Sequence, residues 1–204
     1  MVLKKITETI QGIAVNSIPE ERKARLQSLI EYIQDKVTMG ELINLNFICT
    51  HNSRRSHLAQ IWAQTMACYF NIDQLFCFSG GTEATALYPS IKDTLERQGF
   101  EFEISSAGKN PHYHLLFSDD APAIVAFSKK YDAPFNPSSN FAAIITCSHA
   151  DENCPMIVGA EKRILMSYED PKKYDNSSLE IEGYAACSIQ IACEMYHVFS
   201  AINK

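Results

Sequence analysis

Apolar positions recur along this chain with two alternating periods, and the alternation predicts a layered protein of strands and helices. Residues 1 to about 40 have helical spacing, with Leu26, Leu29, Ile30, Ile33 and Val37 on one face. Ser17-Ile18-Pro19-Glu20 offers a capping-box start with proline in the first turn. The stretch reads as a helix packed on the main domain; a dimerising or partner-binding helix is the other use of such a face. Ile43 to Cys49 is a short apolar run, the pattern of a buried strand. A helix follows from about Ser56 to Phe70, with Leu58, Ile61, Trp62, Thr65, Met66, Tyr69 and Phe70 as its inward stripe. Leu75 to Ser79 reads as a second strand broken by Gly80-Gly81, and Tyr88 to Gln98 as a helix ended by Gly99.

The next stretch changes character. His114 to Ser118 and Ala123 to Ser128 are strand-like and flank Asp119-Asp120-Ala121-Pro122, the pattern of a hairpin. Phe141 to Cys147 is a further buried strand, and Ile164 to Tyr168 a short one ending at Glu169-Asp170-Pro171. The last helix starts near Leu179, with Tyr184, Ser188, Ile191, Met195, Val198 and Ile202 along one stripe. This order implies an α/β fold of three layers, a mostly parallel sheet of about four strands flanked by helices. The expected organisation is a helical extension over 1–40 packed on a domain over 41–204, the hairpin-like insertion falling around 105–135. Active sites in such folds lie beyond the carboxyl ends of strands, and Cys49, Cys147 and Asp170 each follow one.

Composition narrows the possibilities by exclusion. A net charge of −6 over 204 residues argues against nucleic acid as a partner. No apolar run is long enough to span a membrane, and the N-terminus lacks a signal-peptide core, so the expected location is the cytoplasm. Seven cysteines in that setting do not read as a structural disulfide framework. Cys68, Cys77, Cys187 and Cys193 lie within apolar patterns and are expected in the core.

The chemistry concentrates in Cys49-Thr50-His51-Asn52-Ser53-Arg54-Arg55-Ser56, between the first strand of the sheet and a helix. A cysteine, five intervening residues and an arginine can wrap a tetrahedral oxyanion: loop N–H groups point inward, the Arg55 guanidinium clamps two oxygens, and the thiolate lies beneath. Cys49 is the candidate nucleophile, its thiolate favoured by the helix N-terminus and by Arg54 and Arg55. Ser56 is placed to hydrogen-bond the thiolate or to cap the helix. Asn52 is placed to brace the loop. His51 stands where glycine would ease the turn, although histidine tolerates a left-handed conformation. Asp170-Pro171 offers a general acid on a rigid turn; the same dipeptide also serves as a plain turn. Cys147 and Cys154 bracket a short polar segment. They suit a transient disulfide, at a Cα separation of roughly 4.4–6.8 Å. They also suit a buried thiol with an incidental neighbour, or a metal pair assisted by His149. Zinc wants four ligands, no second pair is evident, and no metal site is assigned.

Together these segments resemble the low-molecular-weight protein tyrosine phosphatase superfamily, and within it the thioredoxin-coupled arsenate reductases. The pattern C-x-x-N-x-x-R-S falls on Cys49, Asn52, Arg55 and Ser56; C-x6-C-P falls on Cys147, Cys154 and Pro155; D-P falls on Asp170 and Pro171. The resemblance covers most of the chain from Ile43 onward. It implies a phosphotyrosine phosphatase I-like sheet, no tightly bound cofactor, an arsenate or phosphate oxyanion as ligand, and thioredoxin as external reductant. It also implies a relay in which Cys49 attacks arsenate, Asp170 assists loss of the oxygen, Cys147 attacks Cys49, and Cys154 resolves the intermediate.

The chain departs from the family at His51 for glycine, at Arg54 for a small residue or cysteine, and at Gln60. Some members carry at that last position a glutamate tied to a monovalent cation, so dependence on such a cation is open. Three functions compete. Arsenate reduction uses all three cysteines. A phosphatase for phosphotyrosine or a small phosphoester needs only Cys49, Arg55 and Asp170. An anion-sensing or partner-binding module needs no turnover, and the intact nucleophile, arginine and acid argue against it.

Overall fold

The computed structural model describes residues 1–13, 18–148, 150 and 156–204. Ser17, His149, Cys154 and Pro155 lie outside the described residues. Four strands form a fully parallel sheet: β1 (Ile43–Cys49), β2 (Leu75–Gly81), β6 (Phe141–Ile145) and β7 (Ala160–Leu165), in the spatial order β2-β1-β6-β7. β1 and β6 are the inner pair, with Leu45 opposite Ala142 and Ile48 opposite Ile145. Every residue of β1 but Asn44 is buried, as expected of a strand covered on both faces.

The helices are α1 (Lys4–Gln11), α2 (Glu20–Met39), α3 (Arg55–Tyr69), α4 (Pro89–Arg97) and α5 (Glu180–Ser200). One core lies between the sheet and α2, α3 and α5, where Leu26, Leu45, Phe47, Trp62, Ile144 and Tyr184 are buried together. The opposite sheet face carries a smaller core of Ile48, Cys49, Phe141, Ala143, Ile145, Cys147, Ala150 and Ile157. Two of the three cysteines of the expected relay, Cys49 and Cys147, therefore sit in one apolar cluster at the carboxyl ends of adjacent strands. Of the four cysteines expected in the core, Cys77, Cys187 and Cys193 are buried and Cys68 is half-buried against it.

The N-terminal stretch is two helices rather than one. The residues before α1 bond to the stretch 117–120: the Leu3 amide donates to Phe117 O at 3.0 Å, and the Met1 ammonium pairs with Asp120. α2 is capped at its start by Pro19 without a side-chain bond, and it ends at Gly40 in the left-handed conformation.

A separate antiparallel sheet follows α4, made of β3 (Glu101–Ser106), β4 (His112–Leu116) and β5 (Ile124–Ala126). The hairpin over β4 and β5 matches the sequence pattern, but β3 was not expected. Its side chains are mostly exposed, Ile104 included, so β3 is specified by pairing with β4 rather than by local burial. β7 begins earlier than Ile164 because Glu161, Lys162 and Arg163 are tolerated on a sheet edge. β2 runs through Gly80 and Gly81 rather than breaking before them.

Candidate active site

The loop after β1 is held from outside by its carbonyl groups. Cys49 O accepts from the Thr82 amide at 3.1 Å and Thr50 O from the Glu83 amide at 2.8 Å. His51 O accepts from Ser128 Oγ at 2.9 Å and from Thr85 Oγ1 at 3.1 Å. Ser53 O accepts from the Tyr88 amide at 3.1 Å. In a trans peptide the following N–H points the opposite way, so the amides of Thr50, His51, Asn52 and Arg54 are directed away from these donors, as in an anion-binding nest. Gly81 permits the tight packing behind the loop. A Cβ there would lie 2.4 Å from Glu83 O, 2.6 Å from Thr50 O and 2.7 Å from Asn52 N.

Asn52 is the residue that takes the left-handed turn, with φ 44°, and His51 does not. His51 stays half-exposed at the rim, its Nε2 3.6 Å from Glu83 Oε2. The Asn52 side chain is fully buried and locks the loop from both ends: Oδ1 accepts from the Lys129 amide at 2.9 Å, and Nδ2 donates to Ser56 Oγ at 2.8 Å. Ser56 Oγ lies 3.1 Å from Cys49 Sγ. Because Ser56 accepts from Asn52, its one proton is left for the sulfur, an arrangement that suits a thiolate.

The two arginines turn to the segment after β7. Arg55 Nη1 donates to Tyr168 O at 3.0 Å, and Nη2 donates to Asp170 Oδ2 at 2.5 Å. Asp170 caps a 3₁₀ turn over Pro171–Tyr174 by accepting from the Lys172 amide. Arg54, expected among the anion-binding groups, is engaged elsewhere: Nε donates to Tyr184 OH at 2.6 Å and Nη2 to Asp175 Oδ2 at 2.7 Å. Its guanidinium stacks 3.9 Å from the Tyr88 ring centre.

Cys147 is buried, and its Sγ shares a hydrogen bond with Thr50 Oγ1 at 3.5 Å. The Ala150 amide donates to the same sulfur at 3.4 Å. The structure thus brings Cys49, Thr50, Ser56, Arg55, Asp170 and Cys147 to one end of the sheet, while Cys154 lies outside the described residues.

Sequence reasoning missed Thr82, Thr85, Ser128 and Lys129, which hold the loop, and Asp175 and Tyr184, which hold Arg54. It also missed His57 on α3, whose ring is fully buried with Nδ1 3.4 Å from Ser79 Oγ. Burial and the neighbouring Lys129 charge lower its pKa to about 3, so it is neutral. Lys129 is itself buried against Phe127 and Phe135, which lowers its pKa to about 8. Gln60 is buried, its Nε2 donating to Cys77 O at 3.0 Å. Among the described residues no group of three His, Cys, Asp or Glu side chains is placed to hold a metal, and no helix is long and apolar enough to cross a membrane.

No protein-family profile matches the chain. An arsenate reductase of Staphylococcus epidermidis is 25% identical over 125 residues, covering 61% of this chain and 76% of that protein. One from Staphylococcus haemolyticus is similar to the same extent, 25% identical over 125 residues. Among solved structures, a low-molecular-weight phosphotyrosine phosphatase from Vibrio cholerae superposes with a TM-score of 0.52 at 13% identity, covering 78% of this chain and 94% of that one. One from T. tengcongensis gives 0.51 at 13% identity, covering 78% of this chain and 96% of that one. The chain has the low-molecular-weight phosphotyrosine phosphatase fold and, within it, sequence similarity to arsenate reductases.

Proposed function

We propose that the protein reduces arsenate to arsenite, with thioredoxin as its external reductant, in the reducing setting of the cytoplasm. The observation that carries this reading is the position of Cys147, whose sulfur bonds to Thr50, the residue next to the nucleophile. Ester hydrolysis at Cys49 has no chemical use for a second thiol there.

In this reading the loop amides and Arg55 bind the oxyanion, and the Cys49 thiolate attacks arsenic. An oxygen leaves as water with a proton from Asp170, giving a Cys49–arsenate thioester. The Cys147 thiolate then attacks Cys49 Sγ. The electron pair of the S–As bond passes to arsenic, which falls from the pentavalent to the trivalent state and departs as arsenite. Cys154 attacks Cys147, regenerating the Cys49 thiolate. The two electrons are restored when the dithiol of thioredoxin reduces the Cys147–Cys154 disulfide.

The pairing of Cys49, Arg55 and Asp170 also supports a second reading, hydrolysis of a phosphotyrosine or small phosphoester. The test is mass analysis after one equivalent of arsenate is added to reduced protein. A Cys147–Cys154 disulfide formed in step with arsenite supports the reductase. Full retention of thiols, with steady hydrolysis of p-nitrophenyl phosphate, supports the phosphatase.

A further inference from the structure

The adjacent residues Arg54 and Arg55 grip opposite ends of one short segment. Arg55 holds Asp170 at its start and Arg54 holds Asp175 at its end. The two grips differ in kind. Asp170 is partly open to solvent, and its partner Arg55 is the residue that an incoming oxyanion needs. The Arg54–Asp175 pair is closed: the side chains are 12% and 15% exposed. Arg54 donates to the Tyr184 oxygen, so the Tyr184 proton goes to Asp175 Oδ1 at 2.6 Å. Tyr88 stacks on Tyr184 at 5.6 Å and covers the guanidinium. Asp175 thus spends one oxygen on each partner, and Arg54 has two of its nitrogens committed away from the anion loop.

We propose that Arg54 is a positioning residue: through Asp175 and Tyr184 it keeps the acid segment docked while Arg55 exchanges Asp170 for the oxyanion. This rests on the reading of Asp170 as the general acid. A bound oxyanion competes with Asp170 for the Arg55 fork. Without Arg54, that exchange would leave the segment held only by the packing of Tyr174 on Gly183 and the contacts of its flanks with α5, such as the Asn176 amide on Glu180, with no cation to hold the acid in place. A second, independent anchor removes the conflict.

The test uses the full chain with Arg54→Met, Arg54→Lys and Asp175→Asn. In arsenate turnover, Arg54→Met and Asp175→Asn lower kcat on the order of tenfold to a hundredfold while KM changes little, and Arg54→Lys recovers part of the loss. A readout without turnover is tryptic cleavage at the exposed Lys172 and Lys173 of the 3₁₀ turn, with and without inorganic phosphate. Phosphate leaves cleavage of the wild type unchanged and accelerates it in Arg54→Met. The proposal is overturned if phosphate accelerates cleavage equally in the wild type. It is also overturned if Arg54→Met raises KM and weakens phosphate binding at unchanged kcat, since Arg54 would then be an anion ligand. A wild type that turns over neither arsenate nor an aryl phosphate removes the proposed function but still leaves the cleavage comparison to decide the anchor.

Discussion

Arg55 Nη2 lies 2.5 Å from Asp170 Oδ2, so the group suited to seize an oxyanion and the group suited to protonate its departing oxygen are partners across 115 residues of sequence. Removing the carboxylate charge should separate their roles. Asp170→Asn is expected to lower kcat by about 10²–10⁴-fold. Inorganic phosphate should bind Arg55 at least as tightly as before, because its competitor is gone. Titration calorimetry with phosphate, beside steady-state turnover, checks both halves.

Asn52 carries the loop conformation. Replacing it with alanine strips the Lys129 amide and Ser56 of a buried partner and puts a poorly suited residue at φ 44°. Together these should cost roughly 2–5 kcal/mol of stability. Asn52→Gly should recover the conformational part only. Urea denaturation of both variants measures the difference.

α2 is tied to α5 by a buried ion pair. Arg22 meets Glu194 at 2.8 Å and donates to Ser167 O at 3.1 Å. Arg22→Met leaves Glu194 buried without its cation and should cost about 3–5 kcal/mol. The double variant with Glu194→Leu should regain most of that loss, measured by the same denaturation.

His57 predicts an acid sensitivity of defined sign. Burial lowers its folded pKa to about 3. Between that value and about 6.5 the unfolded chain binds a proton that the folded chain does not, so stability falls as pH falls through this window. At pH 5 the loss is about 2 kcal/mol relative to pH 7. His57→Asn should flatten this part of the stability profile. An equal acid loss in the variant would contradict the assignment.

The sequence was most legible where structure is local. The run from Ile43 to Cys49, the loop and the helix after it follow one another in sequence, and apolar periodicity alone predicts their order and nearly their bounds. What was missed depends on distant partners. Ser128 and Lys129 reach the loop across 77 residues, and nothing in Phe127-Ser128-Lys129 marks them as braces. Arg54 reads as one more cation beside the anion. Its direction is set by Asp175 and Tyr184, 121 and 130 residues downstream. Asn52 and His51 are both able to turn left-handed, and the choice falls to Asn52, whose side chain also finds two buried partners there.

The most direct measurement is arsenate-dependent NADPH oxidation through thioredoxin reductase and thioredoxin, for the wild type and for Cys49→Ser, Cys147→Ser and Cys154→Ser. Sustained oxidation in the wild type and its loss in all three variants are the expected results. Undiminished oxidation in Cys147→Ser or Cys154→Ser would contradict the relay. No oxidation at all, with phosphoester hydrolysis that needs Cys49 alone, would make the protein a phosphatase.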